Sequence, residues 1–149
     1  MAMDTPADSQ NSSTFTAFFN MAEMKGDKSY YSDVTMIQDV GWRIGVIHLT
    51  SGQGKLGIQL NLVSDNDDDD DDTVESCTAS YSLTLINKKD ESKSIIKRYT
   101  YTFTPGGLGP GYPVFCQMDE FKDTKSGFLD DDNKFTVEAT VNITNIEMN

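Results

Sequence analysis

The side chains able to carry nucleophilic or acid–base chemistry are few in this sequence. It contains one histidine, His48, and two cysteines, Cys77 and Cys116. A cysteine nucleophile needs a base within hydrogen-bond reach and a further group that orients the base, and the sequence cannot place His48 beside either cysteine. The sequence also lacks the short motifs of serine hydrolases, zinc proteases and phosphate-binding loops. We therefore predict no catalytic residues, no cofactor and a protein that is not an enzyme; a thiol hydrolase built on His48 is an alternative that a cysteine-specific probe tests.

The acidic residues offer a second kind of chemistry, calcium binding. Seven of the 24 acidic residues lie within residues 65–72, and a second acidic run occupies residues 130–132. Calcium takes about six to eight oxygen ligands, and two Asp-rich loops at one end of a sandwich would resemble a calcium-dependent C2 domain, which is the alternative hypothesis. The first run lacks the glycine and the closing glutamate of an EF-hand loop, and its charges repel one another unless hydrated. We therefore predict a solvated acidic loop and no metal site.

The overall charge indicates which partners to expect. The net charge is −12. Without residues 65–72 it would be −5, because 17 acidic and 12 basic residues would remain. Nucleic acids and anionic membranes bind basic surfaces, so neither is an expected partner. The sequence has no apolar run of about 20 residues and its first residues lack the apolar core of a secretion signal. We expect a cytoplasmic protein in which both cysteines are free, buried thiols.

The elements that would position any site are strands. Several segments alternate apolar and polar residues at a period of two, and no segment keeps an apolar period of 3.6 residues. The clearest alternating segments are residues 56–62, 79–85, 99–103 and 135–143. Turns rich in Gly, Pro, Asn and Asp separate them. We predict one all-β domain, an antiparallel β-sandwich, at residues 14–145, with a disordered tail at residues 1–13 and a short tail at residues 146–149.

Five short motifs resemble the MATH domain, the meprin and TRAF homology fold, in the same order and with compatible gaps. The motifs are GWRIGV at residues 41–46, KLGIQLNLVS at 55–64, YSLTLIN at 81–87, GYPVF at 111–115, and GFLDDD followed by FTVEATV at 127–141. The resemblance covers nearly all of residues 15–143. It implies an eight-stranded antiparallel TRAF-like β-sandwich, in which Trp42, Phe115, Phe128 and Phe135 belong to the core.

The resemblance also implies a function. MATH domains are protein–protein interaction modules that bind short extended peptide segments of partner proteins in a shallow groove. Some act as the substrate-recognition part of ubiquitin-ligase adaptors or of signalling assemblies. Carried over by position, the groove residues here are Gln59, Tyr81, Tyr101 and Tyr112.

Two departures limit this transfer to peptide binding in general. Gln59 stands where the adaptors have an aromatic residue, and Pro110 replaces their tryptophan, so the adaptors' target motif is not transferred. Strand alternation leaves a second interpretation open for the tyrosines. Tyr81 shares its face with Leu83 as Tyr101 does with Phe103, and the tyrosines are then residues at the edge of the core unless a bulge turns them outward.

Overall fold

The computed structural model describes residues 12–24, 28–38, 40–49, 54–63, 74–105, 111, 113–123 and 125–148. Nine strands lie in this part of the chain. They are β1 (Ser12–Asn20), β2 (Ser29–Tyr31), β3 (Thr35–Ile37), β4 (Val40–Leu49), β5 (Lys55–Val63), β6 (Val74–Leu85), β7 (Ile95–Phe103), β8 (Val114–Gln117) and β9 (Lys134–Met148). One short helix, α1 (Met118–Lys122), follows β8, and single 3-10 turns occupy Met21–Glu23 and Glu91–Lys93.

The strands form two antiparallel sheets that pack face to face. Sheet A has the order β1-β9-β6-β7, and sheet B has the order β2-β4-β5-β8, with β3 also paired to β4. This confirms the prediction of an all-β antiparallel sandwich. The described residues contain nine strands where eight were predicted, because β2 and β3 pair with successive parts of β4. Ser32 lies between β2 and β3, and its hydroxyl accepts a hydrogen bond from the Ile44 amide at 2.9 Å.

The core lies between the two sheets and follows the alternation of the strands. On β5, β6 and β9 every second side chain is buried, since successive residues of a strand point to opposite faces. The four aromatic residues assigned to the core, Trp42, Phe115, Phe128 and Phe135, are all buried. The Trp42 ring meets the Phe103 ring edge-on, with centroids 5.0 Å apart, and so joins sheet B to sheet A.

β9 is one of the two inner strands of sheet A and extends further than the sequence indicated. It pairs with β1 on one side and with β6 on the other. Its last residues pair with the start of β6, with Ile146 opposite Cys77 and Met148 opposite Val74. The strand therefore continues past residue 145, where the sequence analysis ends the domain. At the other terminus, β1 already begins at Ser12, because Ser12 and Ser13 pair with β9.

Helix α1 was not predicted from the sequence. Five residues are too few for a helical apolar period to be visible, but Met118 and Phe121, three positions apart, share one face and are buried. The Phe121 ring is fully buried and meets the Phe135 ring edge-on, with centroids 4.9 Å apart. Phe128 approaches Phe121 from the following loop, at 6.2 Å between centroids. The helix thus closes one end of the core.

One buried side chain joins the two loops at this end. Asn87 is 1% exposed, and its Nδ2 donates to the carbonyl oxygen of Ser126 at 2.7 Å. Its Oδ1 accepts hydrogen bonds from the amides of Lys89 and Asp90, both at 3.0 Å. Gly127 lies directly against this amide with a φ of +96°, and a Cβ on it would stand 2.5 Å from Asn87 Oδ1. The loop therefore requires glycine both for its backbone conformation and for space.

Candidate functional site

Two sheet edges face each other along one side of the sandwich. β7 is the last strand of sheet A, and β8 is the last strand of sheet B in the described part of the chain. Lys97 of β7 holds its Nζ 5.6 Å from the centroid of the Phe115 ring on β8. We call this region the β7–β8 side and define it by Lys97, Tyr99 and Tyr101 on β7 and by Phe115 on β8. Strand alternation places the three β7 residues on the same face of sheet A.

An aromatic cluster from sheet A borders the β7–β8 side. The Tyr81 ring lies 5.6 Å from the rings of both Tyr99 and Phe103, and the Tyr101 ring lies 4.9 Å from that of Phe103. Tyr81 is 5% exposed, whereas Tyr99 and Tyr101 are half-buried. Burial, together with smaller effects of the neighbouring Tyr99 and Tyr101, raises the pKa of Tyr81 to about 12. Within the cluster Tyr81 is buried, and Tyr99 and Tyr101 present surface to solvent.

Gln59 lies on the other face of sheet B. The neighbouring Ile58 and Leu60 point into the core, so Gln59 points away from it. Gln59 is only 3% exposed, and its Nε2 donates to the carbonyl oxygen of Gly111 at 2.9 Å. The Ile58 amide donates to the carbonyl oxygen of Pro113 at 3.2 Å. Gln59 thus attaches the segment that precedes β8 to the middle of β5.

The four residues assigned to the groove from the sequence therefore do not all lie in one cluster within the described part of the chain. Tyr81 and Tyr101 lie in one aromatic cluster, Gln59 holds Gly111, and Tyr112 lies outside the described residues. Sequence reasoning did not select Lys97 or Tyr99. The signal was present, since Lys97, Tyr99 and Tyr101 alternate along β7, but their position at an edge depends on the strand order.

The thiols and the histidine do not form a catalytic pair. His48 lies opposite Leu56, and Leu56 lies opposite Cys116, so His48 and Cys116 are two strands apart, about 10 Å. Cys77 is fully buried in sheet A. Burial raises the pKa of Cys77 to about 11 and, together with the charge of Glu120, that of Cys116 to about 12. Neither cysteine supplies a thiolate at neutral pH, as a nucleophile would need.

These thiols predict a loss of stability at alkaline pH. An unfolded thiol ionises near 9.0, whereas the folded pKa values are about 11 and about 12. The stabilising contribution is therefore complete below pH 9 and is lost as the pH rises toward the folded values. Each thiol should lower the free energy of unfolding by about 1.4 kcal/mol per pH unit in that window. Urea denaturation at several pH values checks this, and a Cys77→Ala/Cys116→Ala variant should show a shallower decline.

Asp130, the first residue of the second acidic run, makes contacts within its own loop and with Lys88. The Asp130 carboxylate accepts hydrogen bonds from the amides of Lys134 and Asp132, and it pairs with Lys88 at 3.3 Å. These contacts, led by the Lys134 amide, lower the pKa of Asp130. No group of three or more metal-ligating side chains occurs among the described residues. The acidic run at residues 65–72 lies outside them, and the calcium hypothesis gains no support.

Comparison with known proteins identifies the family. Residues 13–141 match the sequence profile of the MATH domain. The chain belongs to the MATH domain family. A search of curated proteins gives no match. The profile covers β2 to β8 completely and β1 and β9 in part, which confirms the resemblance drawn from the five motifs.

Family membership gives the function at a general level. MATH domains are protein–protein interaction modules, and this MATH domain therefore has proteins as partners. No helix in the part of the chain that the structure describes is long and apolar enough to cross a membrane.

Proposed function

We propose that this MATH domain binds extended peptide segments of partner proteins along the β7–β8 side. The observation that carries the proposal is the approach of β7 to β8 at Lys97 and Phe115, because Tyr99 and Tyr101 follow Lys97 on the same face of β7. Within the described residues β8 pairs with β5 alone, so its other edge offers backbone N–H and C=O groups to an added strand. Main-chain hydrogen bonds from such an edge supply affinity, and neighbouring side chains supply selectivity.

The tyrosines would supply the contact surface for the peptide. Tyr99 and Tyr101 combine a flat apolar ring with a polar hydroxyl, and few torsions are lost when they are fixed. Tyr81 is too deeply buried to contribute much area, and its proposed role is to support Tyr99 and Phe103 from behind. The half-buried state of Tyr99 and Tyr101 leaves apolar area for a ligand to cover.

The segment before β8 would form the opposite wall. Gln59 fixes Gly111 through its side-chain hydrogen bond, and its proposed role is to position this segment, not to contact the ligand directly. Tyr112 follows Gly111 in the sequence and is proposed as a groove residue on that basis. Gln59→Leu should therefore weaken peptide binding by releasing the backbone of Gly111.

A peptide screen tests the proposal. Tyr99→Ala and Tyr101→Ala should each weaken the peptides selected on wild-type protein by about tenfold or more, as loss of a central aromatic contact does. Tyr31→Ala is the matched control, because Tyr31 is an exposed tyrosine on β2 at the other edge of sheet B. Circular dichroism establishes that each variant is folded. If folded Tyr99→Ala and Tyr101→Ala bind as tightly as wild type, the assignment to the β7–β8 side is wrong.

A finer proposal concerns the use of this binding. We propose that the domain works in the cytoplasm and presents its partners to a ubiquitin ligase or a signalling assembly. Two buried, unpaired cysteines suit a reducing compartment. Comparing the ubiquitination of a bound partner in cells that carry wild-type protein or Tyr101→Ala tests this use, and equal ubiquitination would contradict it.

A further inference from the structure

We infer that β1 pairs antiparallel with β1 of a second copy of this chain, so that two molecules form a dimer through the edges of their A sheets. β1 is the last strand of sheet A on the side opposite β7, and among the described residues it pairs with β9 alone. Its other edge is therefore open to an added strand. The dimer does not depend on the proposed function, because peptide binding is assigned to the β7–β8 side.

The backbone of β1 directs hydrogen-bonding groups to this open edge. Met21 continues the register of β1 with β9, and its amide donates to the carbonyl oxygen of Asn133 at 2.8 Å. Bonded and non-bonded pairs alternate along an antiparallel ladder, so the odd-numbered residues of β1 bond to β9. The Thr136 carbonyl oxygen, opposite Phe18, agrees with this because it accepts from the Ile86 amide on its other side. The N–H and C=O groups of the even-numbered residues of β1 therefore point to the open edge.

β1 lacks the features that protect the other sheet edges. Edge strands of natural proteins usually avoid association because they are short, or because they carry charge, proline or a bulge. β2 and β3 have three residues each and β8 has four, and β7 carries Lys97 and Arg98. β1 has nine residues without a charge or a proline, and its register with β9 is unbroken. In the described part of the chain it is the edge most open to pairing.

The distribution of charge favours contact between two copies at β1. Each chain carries −12, so most of its surface repels a second copy. Residues 9–22 contain no charged side chain, and of the β9 residues paired with β1 only Lys134 and Glu138 are charged. In the dimer the two Glu138 residues stand three strand spacings apart, about 14 Å. This exceeds the screening length of about 10 Å at about 0.1 M salt.

The sequence of β1 is complementary to itself. In the register that overlaps all nine residues, Thr16 lies opposite Thr16 of the second copy, and Phe18 lies opposite Thr14. Phe18 is 73% exposed on the face that also carries Thr14 and Thr16, so the threonine methyl groups of the second copy cover part of its ring. On the other face, half-buried Phe15 lies opposite Ala17. The outward groups form five bonded pairs, with about ten main-chain hydrogen bonds.

The size of the contact makes the dimer weak and dependent on concentration. Nine residues from each copy are fewer than the roughly 20 to 30 residues that a standard interface has on each side. The joined sheet has a β7 strand at each end, because β7 and β1 are the opposite edges of sheet A. The two β7 strands lie seven strand spacings apart, about 33 Å. A partner with two binding segments would therefore be held by both copies.

Sedimentation velocity on the full chain tests the inference without any peptide. Between about 5 and about 500 μM, wild-type protein should shift from monomer to dimer. Thr16→Lys places two lysines opposite each other at the centre of the pair, and it should weaken the dimer by at least about tenfold. Thr100→Lys is the matched control, because Thr100 is an exposed threonine on the outer face of β7, at the other edge of sheet A. It should leave the dimer unchanged, and circular dichroism establishes that both variants are folded.

A cysteine at the centre of the pair tests the register. The Cα atoms of a bonded antiparallel pair lie about 5.5 Å apart, a distance that a disulfide spans. Mild oxidation should therefore convert Thr16→Cys into a covalent dimer and leave Thr100→Cys a monomer, since the native Cys77 and Cys116 are both buried. Wild-type protein that stays monomeric at the highest concentration overturns the inference. A dimer that folded Thr16→Lys retains, or that Thr100→Lys disrupts, overturns it as well, and neither result bears on peptide binding.

Discussion

Gly127→Ala is expected to lower the free energy of unfolding by about 3 kcal/mol. Gly127 has a φ of +96°, which an alanine adopts only with strain, and the added methyl group would lie 2.5 Å from Asn87 Oδ1. Asn87 cannot retreat without losing its hydrogen bonds to Ser126, Lys89 and Asp90. Buried polar groups left without partners cost about 1 to 3 kcal/mol each, so the loss of this junction adds to the backbone strain.

Gly111→Ala separates the cost of backbone strain from the cost of the contact with Asn87. Gly111 also has a positive φ, +92°, but a Cβ on it would meet no atom of the described residues within 4 Å. It should therefore show only the conformational cost, about 1 to 2 kcal/mol. Urea denaturation followed by tryptophan fluorescence measures both variants, since the only tryptophan, Trp42, is fully buried. Equal losses for Gly127→Ala and Gly111→Ala would mean that contact with Asn87 is unimportant.

Phe121→Ala should destabilise the fold by about 4 kcal/mol, within the usual range for removing a large aromatic side chain from a core. Phe121 is fully buried and packs against both Phe135 and Phe128, so its removal leaves a cavity between α1 and the end of sheet A. Phe121→Leu fills part of that cavity and should lose less. A larger loss of unfolding free energy for Phe121→Ala than for Phe121→Leu would therefore show that packing at this position stabilises the fold.

Phe18→Ala provides the matched control for Phe121→Ala. Phe18 is 73% exposed on the outer face of β1, so its truncation leaves no cavity. The change in the free energy of unfolding should stay within about 0.5 kcal/mol. A loss for Phe121→Ala as small as that for Phe18→Ala would show that α1 is not part of the cooperative core.

The longer strands could be predicted from the sequence because apolar and polar residues alternate along them, and this alternation matches which side chains are buried. β5 carries Leu56, Ile58 and Leu60 at a period of two, and all three are fully buried. β2 and β3 have three residues each, too few for a pattern, and they exist because β4 offers them an edge. Helix α1 is likewise fixed by tertiary packing of Phe121 and not by its own periodicity.

The candidate site was less accessible to sequence reasoning. The alternation already placed Tyr81 with Leu83, and the structure puts Tyr81 in the core. That Gln59 holds Gly111, 52 positions away, could not be inferred from either segment alone. β7 and β8 lie on the same side of the sandwich because of the order of strands in two different sheets, and no local pattern specifies that order. This is why Lys97 and Tyr99 were not selected.

The position of β9 between β1 and β6 in sheet A has a consequence for synthesis on the ribosome. β1 and β6 both pair with β9, the last of these strands to be translated. Until residues 134–148 leave the exit tunnel, β1 has no partner in its sheet, and its apolar side chains Ala17 and Phe19 have no completed core to enter. Of sheet A, only the β6–β7 hairpin can form on the nascent chain. The domain therefore completes its fold after elongation has passed β9, and earlier stages expose apolar residues that chaperones bind.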